Sequence, residues 1–227
     1  MSNRVFSPDQ LTESQKKAVY HVDGALLVLA GPGSGKTRVI TSRIAALIDH
    51  GISPYNICAI TFTNKAAEEM RQRVARQASA RGVYISTFHS LCVRMLRQFA
   101  DEAGVRANFS IYDSADQKRC MKEAVKACEL DGGNFPPSRM LEAVSRMKND
   151  LEDVEALKER AEDFYTKTLV KVYRKYQRIL ADNNALDFDD LLVRCAFVLR
   201  DCPDVRRRIS NRFKYLLVDE YQDTNHA

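Results

Sequence analysis

Gly31, Gly33 and Gly35 alternate with Pro32 and Ser34 and run directly into Lys36 and Thr37. Glycines at this spacing allow a tight loop whose backbone N–H groups turn toward one point, where phosphate oxygens fit. A lysine in the next position neutralises β- and γ-phosphates, and a threonine hydroxyl after it can ligate Mg2+. The run from Ala30 to Thr37 matches the phosphate-binding loop except that Ala30 replaces the usual first glycine. A helix starting here adds the positive end of its dipole. Far along the chain, Leu216-Leu217-Val218-Asp219-Glu220 is an apolar stretch ending in two acids. Asp219 is the expected metal ligand and Glu220 the general base that polarises an attacking water. The implied ligand is a nucleoside triphosphate with Mg2+. It is held by Gly31, Gly33, Ser34, Gly35, Lys36 and Thr37, with Thr37 and Asp219 on the metal and Lys36 and Glu220 catalytic.

These residues need a scaffold of strands and helices. Leu26–Ala30, Ile57–Phe62, Val83–Ser86 and Tyr215–Asp219 read as short apolar strands separated by helical patterns. That alternation predicts an α/β fold, a parallel sheet flanked by helices. Val39, Ile40, Ile44, Leu47 and Ile48 form one helical stripe, with Gly51 as its stop, and Leu91, Cys92, Met95, Leu96 and Phe99 form another. From Ser114 to Asn211 the pattern is helical without a strand. Ser114 and Gln117 have capping-box spacing, Pro136 and Pro137 break one helix and open the next, and Asp187 caps a helix carrying Phe188, Leu191, Leu192 and Cys195. The expected organisation is an ATPase domain over 1–112, an all-helical insertion over 113–200, and a return to the first domain over 201–227.

The 227 residues are 45% hydrophobic and 29% charged, as in a soluble globular chain. The residues before Leu11 are polar, without the apolar core of a signal peptide, and the apolar run at 25–30 is too short to span a membrane. A cytoplasmic location is the default expectation. None of the six cysteines forms a Cys-x-x-Cys pair, and the four histidines are scattered, so reduced thiols without a zinc site are expected. The net charge of +5 is compatible with a polyanionic partner.

With Gln15, the loop and the acid pair in view, the chain resembles superfamily 1 DNA helicases of the UvrD, Rep and PcrA group. Asp219-Glu220-Tyr221-Gln222-Asp223-Thr224-Asn225 is similar to this group's acidic motif. Ile60-Thr61-Phe62-Thr63-Asn64-Lys65-Ala66-Ala67 and Ser86-Thr87-Phe88-His89-Ser90 are similar to its DNA-contacting motifs, and Leu186–Leu192 to the segment returning from its insertion. The resemblance implies a RecA-like P-loop fold with a helical insertion, ATP held between two motor domains, and 3′→5′ movement on single-stranded DNA and at single-strand/duplex junctions. The second RecA-like domain is absent from the 227 residues. The expectation for this piece alone is weak ATP binding, little hydrolysis and no unwinding, with a role of the whole protein in DNA repair or replication.

The resemblance also assigns Gln15 to adenine, whose edge an amide can both donate to and accept from, and Arg38 to the neighbourhood of the base. Thr12 and Gln15 equally have the spacing of a capping box, so Gln15 has two candidate roles. On the DNA side it implies Thr61, Thr63, Asn64, Thr87 and His89 along the strand being pulled, with Phe62 offering a stacking face or closing the core. Periodicity alone adds Lys167, Lys171, Arg174, Lys175 and Arg178, which fall within an arc of about 100° on a helix over 164–181 that carries no acid. Lys171, Arg174 and Arg178 are therefore candidate DNA contacts; the alternative is an ordinary basic surface. Three other readings remain. One is a helicase–nuclease motor subunit of the AddA or RecB kind. Another is a non-catalytic nucleotide- or DNA-binding module. The third is a P-loop kinase or GTPase, which leaves the motif at 219–225 unexplained.

Overall fold

The computed structural model describes residues 11–76, 80–152 and 154–224. Asn225 of the acidic motif and the polar stretch before Leu11 lie outside the described residues. The chain divides into two compact units: residues up to Phe88 with Arg207–Thr224, and His89–Arg206.

The first unit opens with helix α1 (Glu13–Tyr20) and, after the glycine loop, α2 (Lys36–Asp49). Strand β1 (Ile57–Thr61), helix α3 (Asn64–Ala75) and strand β2 (Tyr84–Thr87) follow. In the second unit come α4 (Phe88–Gln98), which straddles the boundary, then β3 (Ser110–Ile111), α5 (Ser114–Ala127), α6 (Pro137–Asn149), α7 (Val154–Arg160), α8 (Phe164–Asp182), β4 (Ala185–Leu186) and α9 (Phe188–Asp201). Helix α10 (Pro203–Arg212) crosses back and leads into β5 (Tyr215–Val218). No described helix is long and apolar enough to cross a membrane.

The sheet of the first unit runs β2-β1-β5, all parallel, with Thr61 opposite Thr87 and Ile60 opposite Val218. β1 is buried along its whole length, as expected of a central strand covered on both faces. Ile57 and Ala59 pack with Ile44 and Leu47 of α2 and Met70 and Val74 of α3 into one core. Arg43 donates to the carbonyl of Ala18 at 2.6 Å and ties α2 to α1. Gly51, at φ +95°, ends the α2 segment in the left-handed region.

The expected first strand does not form. Residues 26–30 are irregular, and Leu27 and Leu29 are 66% and 86% exposed. A strand exists only as part of a ladder, and among the described residues this apolar run has no ladder partner.

In the second unit, α8 is the spine, packed against α5, α6 and α7. Its Val172, Tyr173, Tyr176, Ile179 and Leu180 meet Cys120, Met121 and Ala124 of α5 and Met140 and Val144 of α6. Two details depart from the sequence reading. β4 interrupts the stretch expected to be purely helical, forming a short parallel ladder with β3, which lies just before that stretch. The cap of α5 is Asp113, whose carboxylate accepts from the N–H groups of Ala115 and Asp116 at 2.8 and 2.9 Å. Ser114 therefore occupies the first helical position, and Gln117 donates instead to the carbonyl of Tyr112. Asp187 caps α9 as expected, in a reciprocal box with Asp190.

Candidate functional site

The glycine loop and the acid pair meet. A cleft of about 690 Å³ is lined by residues 30–38, Arg73, Glu220 and Gln222. Lys36 Nζ lies 4.0 Å from Glu220 Oε1 and 3.4 Å from the carbonyl oxygen of Ala30. Parallel pairing puts β5 beside β1, and the N–H of Asp219 extends that ladder by donating to Ile60 at 2.8 Å. Glu220 then turns the chain in the left-handed region, at φ +52° and ψ +49°, which a non-glycine residue rarely adopts. The turn aims Glu220 at the loop and leaves Asp219 buried behind it. The N–H of Glu220 donates to Asp219 Oδ1, and Gln222 Nε2 donates to Glu220 Oε2.

The loop is held by its own bonds. Ser34 donates through both its N–H and its hydroxyl to the carbonyl of Gly31, and Val39 N–H donates to Gly35. Gly33 and Gly35 need to be glycine, with φ +75° and +87°; at Gly35 a Cβ would also sit 3.2 Å from Gln15 Nε2. Gly31 has neither a left-handed φ nor a neighbour within 4 Å of an added Cβ, so the loop's own geometry places no such demand there.

Gln15 takes the capping role and uses the other end of its amide on the glycine loop. Its Oε1 accepts from Thr12 N–H at 3.0 Å, completing the capping box of α1, while its Nε2 donates to the carbonyl of Ser34 at 2.9 Å. The amide thus ties α1 to the loop. Arg38 lines the cleft from the first turn of α2.

The donor set suits a hard divalent cation. Asp219 is a mostly buried carboxylate, and burial, with Glu220 beside it, pushes its pKa up against the pull of Lys36. A cation would relieve that cost. No cluster of three or more His, Cys, Asp or Glu occurs among the described residues. Mg2+ in nucleotide sites takes one or two protein oxygens and completes its shell with phosphates and water, so Thr37 and Asp219 fit this use.

The expected DNA line divides. Phe62 is 53% exposed, which removes the core reading for it, and Thr63 and Asn64 are exposed next to it. The Thr63 hydroxyl already accepts from Ala66 N–H at 3.1 Å as the cap of α3. Thr61 and Thr87, at 1% and 6% exposed, stand side by side in the β1–β2 ladder. His89, in the second unit, is partly buried with its ring edge-on to Phe188, centroids 5.5 Å apart and planes at 82°. Burial lowers its pKa, with Asp189 acting in the opposite sense. On α8, Lys171 donates to the carbonyl of Cys128 at 3.1 Å and Arg174 pairs with Glu155 of α7, while Arg178 is exposed.

Three residues escaped the sequence reading. Arg73 enters the cleft from the last turn of α3, with no local signal to mark it. Gln222 stood inside the acidic motif, but its bond to Glu220 depends on the turn at 220. Phe188, assigned only to a helix stripe, is partly exposed beside His89; its place directly after the cap of α9 was the available clue.

A glycine loop feeding a helix, faced by a strand-end acid on a parallel sheet, defines a RecA-like P-loop domain. Comparison with known families matches residues 11–227 to the UvrD/REP helicase N-terminal domain, and the chain belongs to that family. It is 46% identical over 220 residues to a protein of Staphylococcus epidermidis (strain RP62A) named ATP-dependent DNA helicase PcrA. A Staphylococcus aureus (strain Mu50) protein of the same name is 45% identical over 222 residues. Each match covers 96% of this chain and 30% of the relative, so the chain spans less than a third of their length.

Proposed function

We propose that the chain is the nucleotide-binding part of a motor that uses ATP to move 3′→5′ along single-stranded DNA and to part duplex at a junction, in repair or replication. The observation that carries this reading is the single cleft in which Lys36 and Glu220 face each other across the glycine loop, 4.0 Å apart. Lys36 takes the β- and γ-phosphates in place of Glu220 when nucleotide enters. Thr37 and Asp219 hold Mg2+, which when bound neutralises phosphate charge and orients its oxygens. Glu220 accepts a proton from water as that water's oxygen attacks the γ-phosphorus and the bond to the β–γ bridging oxygen breaks, releasing ADP. Gln15 and Arg38 flank the base end; bonded to Thr12 and Ser34, the Gln15 amide keeps its second N–H and second lone pair for adenine. Phe62, with Thr63 and Asn64, supplies the exposed stacking and polar edge for DNA in this unit, and His89 with Phe188 a second aromatic edge.

The whole machine requires a second motor domain to close on the nucleotide. Arginines supplied from across such a cleft are worth roughly 10³–10⁵ in rate in related phosphate chemistry. The test is titration of the purified chain with a fluorescent ATP analogue, followed by turnover with and without oligo-dT. Weak, Mg2+-dependent binding that Lys36→Ala abolishes, with negligible turnover, is expected. Binding unaffected by Lys36→Ala refutes the site, and robust DNA-stimulated turnover refutes the need for the second domain.

A further inference from the structure

The basic face of α8 bounds a second cleft, of about 660 Å³, unrelated to the nucleotide site. Its lining includes Lys158 of α7 and Lys167, Lys171, Arg174, Lys175 and Arg178 of α8. Lys171 and Arg174 are committed to Cys128 and Glu155. Among the described residues, no hydrogen bond or ion pair holds the side chains of Lys158, Lys167, Lys175 or Arg178. Four cations around one opening repel one another, and an anion is what removes that cost.

An aromatic element lies at the start of the same helix. Phe164 is 73% exposed and, at 100° per residue, falls inside the arc of the cations. Its ring is 6.2 Å from that of Phe135, which stacks at 18° on Tyr165. From Phe164 to Arg178 the helix rises about 21 Å, room for several nucleotides. A small anion would use the charges and leave the aromatic end idle. A strand of nucleic acid uses both, phosphates along the cations and a base on the exposed ring.

Resting on the DNA reading above, we propose that the α7–α8 cleft is a second single-strand track, with Lys158, Lys167, Lys175 and Arg178 on phosphates and Phe164 stacking a base. This moves the phosphate contacts from Lys171 and Arg174 to their unpaired neighbours.

The test is fluorescence anisotropy of labelled oligo-dT, and of a labelled duplex, with the 227-residue chain across a salt series, for wild type, Lys36→Ala, Lys167→Glu/Lys175→Glu/Arg178→Glu, and Phe164→Ala. Circular dichroism checks the fold, and an ATP analogue is titrated in parallel. The triple variant is expected to bind about tenfold or more weakly, and its plot of log K against log salt to flatten by about 2, at ~0.7 for each phosphate no longer neutralised. Phe164→Ala is expected to weaken binding about fivefold or more with little change of slope. Wild-type-like affinity and slope in the folded triple variant overturn the proposal, as does a wild-type chain that binds no oligo-dT. So does a loss confined to duplex probes with Phe164→Ala silent, which would assign the cleft to duplex. Unchanged binding of the ATP analogue in all variants keeps the nucleotide site separate. Its loss in Lys36→Ala alone, whatever the DNA result, tests that site independently.

Discussion

Lys148 sits at the centre of a buried charge cluster in the second unit. It is 1% exposed, with Nζ 2.7 Å from Asp187 Oδ2 and 2.8 Å from Asp190 Oδ1, both carboxylates also buried. Tyr176 donates its hydroxyl to the same Asp187 oxygen at 2.9 Å, and Gln177 donates to Asp190 at 3.0 Å. The cluster joins α6, α8 and the cap of α9. Lys148→Met keeps volume and removes the charge, leaving two carboxylates buried without a cation. Breaking a buried pair from one side costs about 3–5 kcal/mol, a large part of the ~5–15 kcal/mol that holds a domain folded. The pH dependence gives a second readout. Burial alone would lower the pKa of Lys148, but Asp190 and Asp187 raise it above 10.5, so the wild-type contribution is complete at neutral pH and fades only as pH climbs past that value. Without the ammonium, burial raises the pKa of both acids. The folded variant then binds protons more tightly than the unfolded chain, so its deficit shrinks as pH falls from about 8 to about 5. Urea unfolding followed by circular dichroism at the two pH values measures both. Adding Asp187→Asn and Asp190→Asn to Lys148→Met should restore part of the loss. A deficit under about 1 kcal/mol at the higher pH, or one that ignores pH, would show that the cluster is not the anchor inferred here.

Gly35→Ala forces a side chain into φ +87° and against Gln15 Nε2; a cost of roughly 1–2 kcal/mol and loss of ATP-analogue affinity are expected from paired unfolding and titration measurements. Thr63→Ala should lose about 1 kcal/mol through the cap of α3 whether or not DNA is present, while Thr63→Ser should retain it, so comparing the two separates stability from DNA contact. Burial holds the Cys58 thiol up at about 12, so it stays protonated across the ordinary pH range; timed alkylation read by mass spectrometry should label Cys202, the one cysteine not fully buried, well before Cys58.

The parts of the fold written in local patterns were legible. The period-3.6 stripe from Val39 to Ile48, the proline start of α6 and the Asp187 cap all follow from neighbours in sequence, and the structure has each of them. The strands Ile57–Thr61 and Tyr215–Val218 were legible as apolar runs between helical patterns, each read one residue too long at its end. What escaped depends on residues far apart. Leu26–Ala30 has strand composition, but pairing is decided by a partner that the run itself does not encode. The β3–β4 ladder joins positions 75 residues apart; it carries extended chain as far as Tyr112 and leaves Asp113, not Ser114, to cap α5. At the candidate site, Lys36 and Glu220 were legible from residue type, whereas Arg73 and the bond from Gln15 to the loop, made alongside its helix cap, needed coordinates.

The exposed run from Leu26 to Leu29 has a practical consequence. It is uncharged, free of proline and rich in residues that favour extended chain, and β5 is an edge strand whose Leu216 is also exposed. Two such features on one molecule can pair with the same features on the next. Preparations of this chain should therefore grow turbid with concentration and warmth, and a charged substitution at Leu27 should keep them clear.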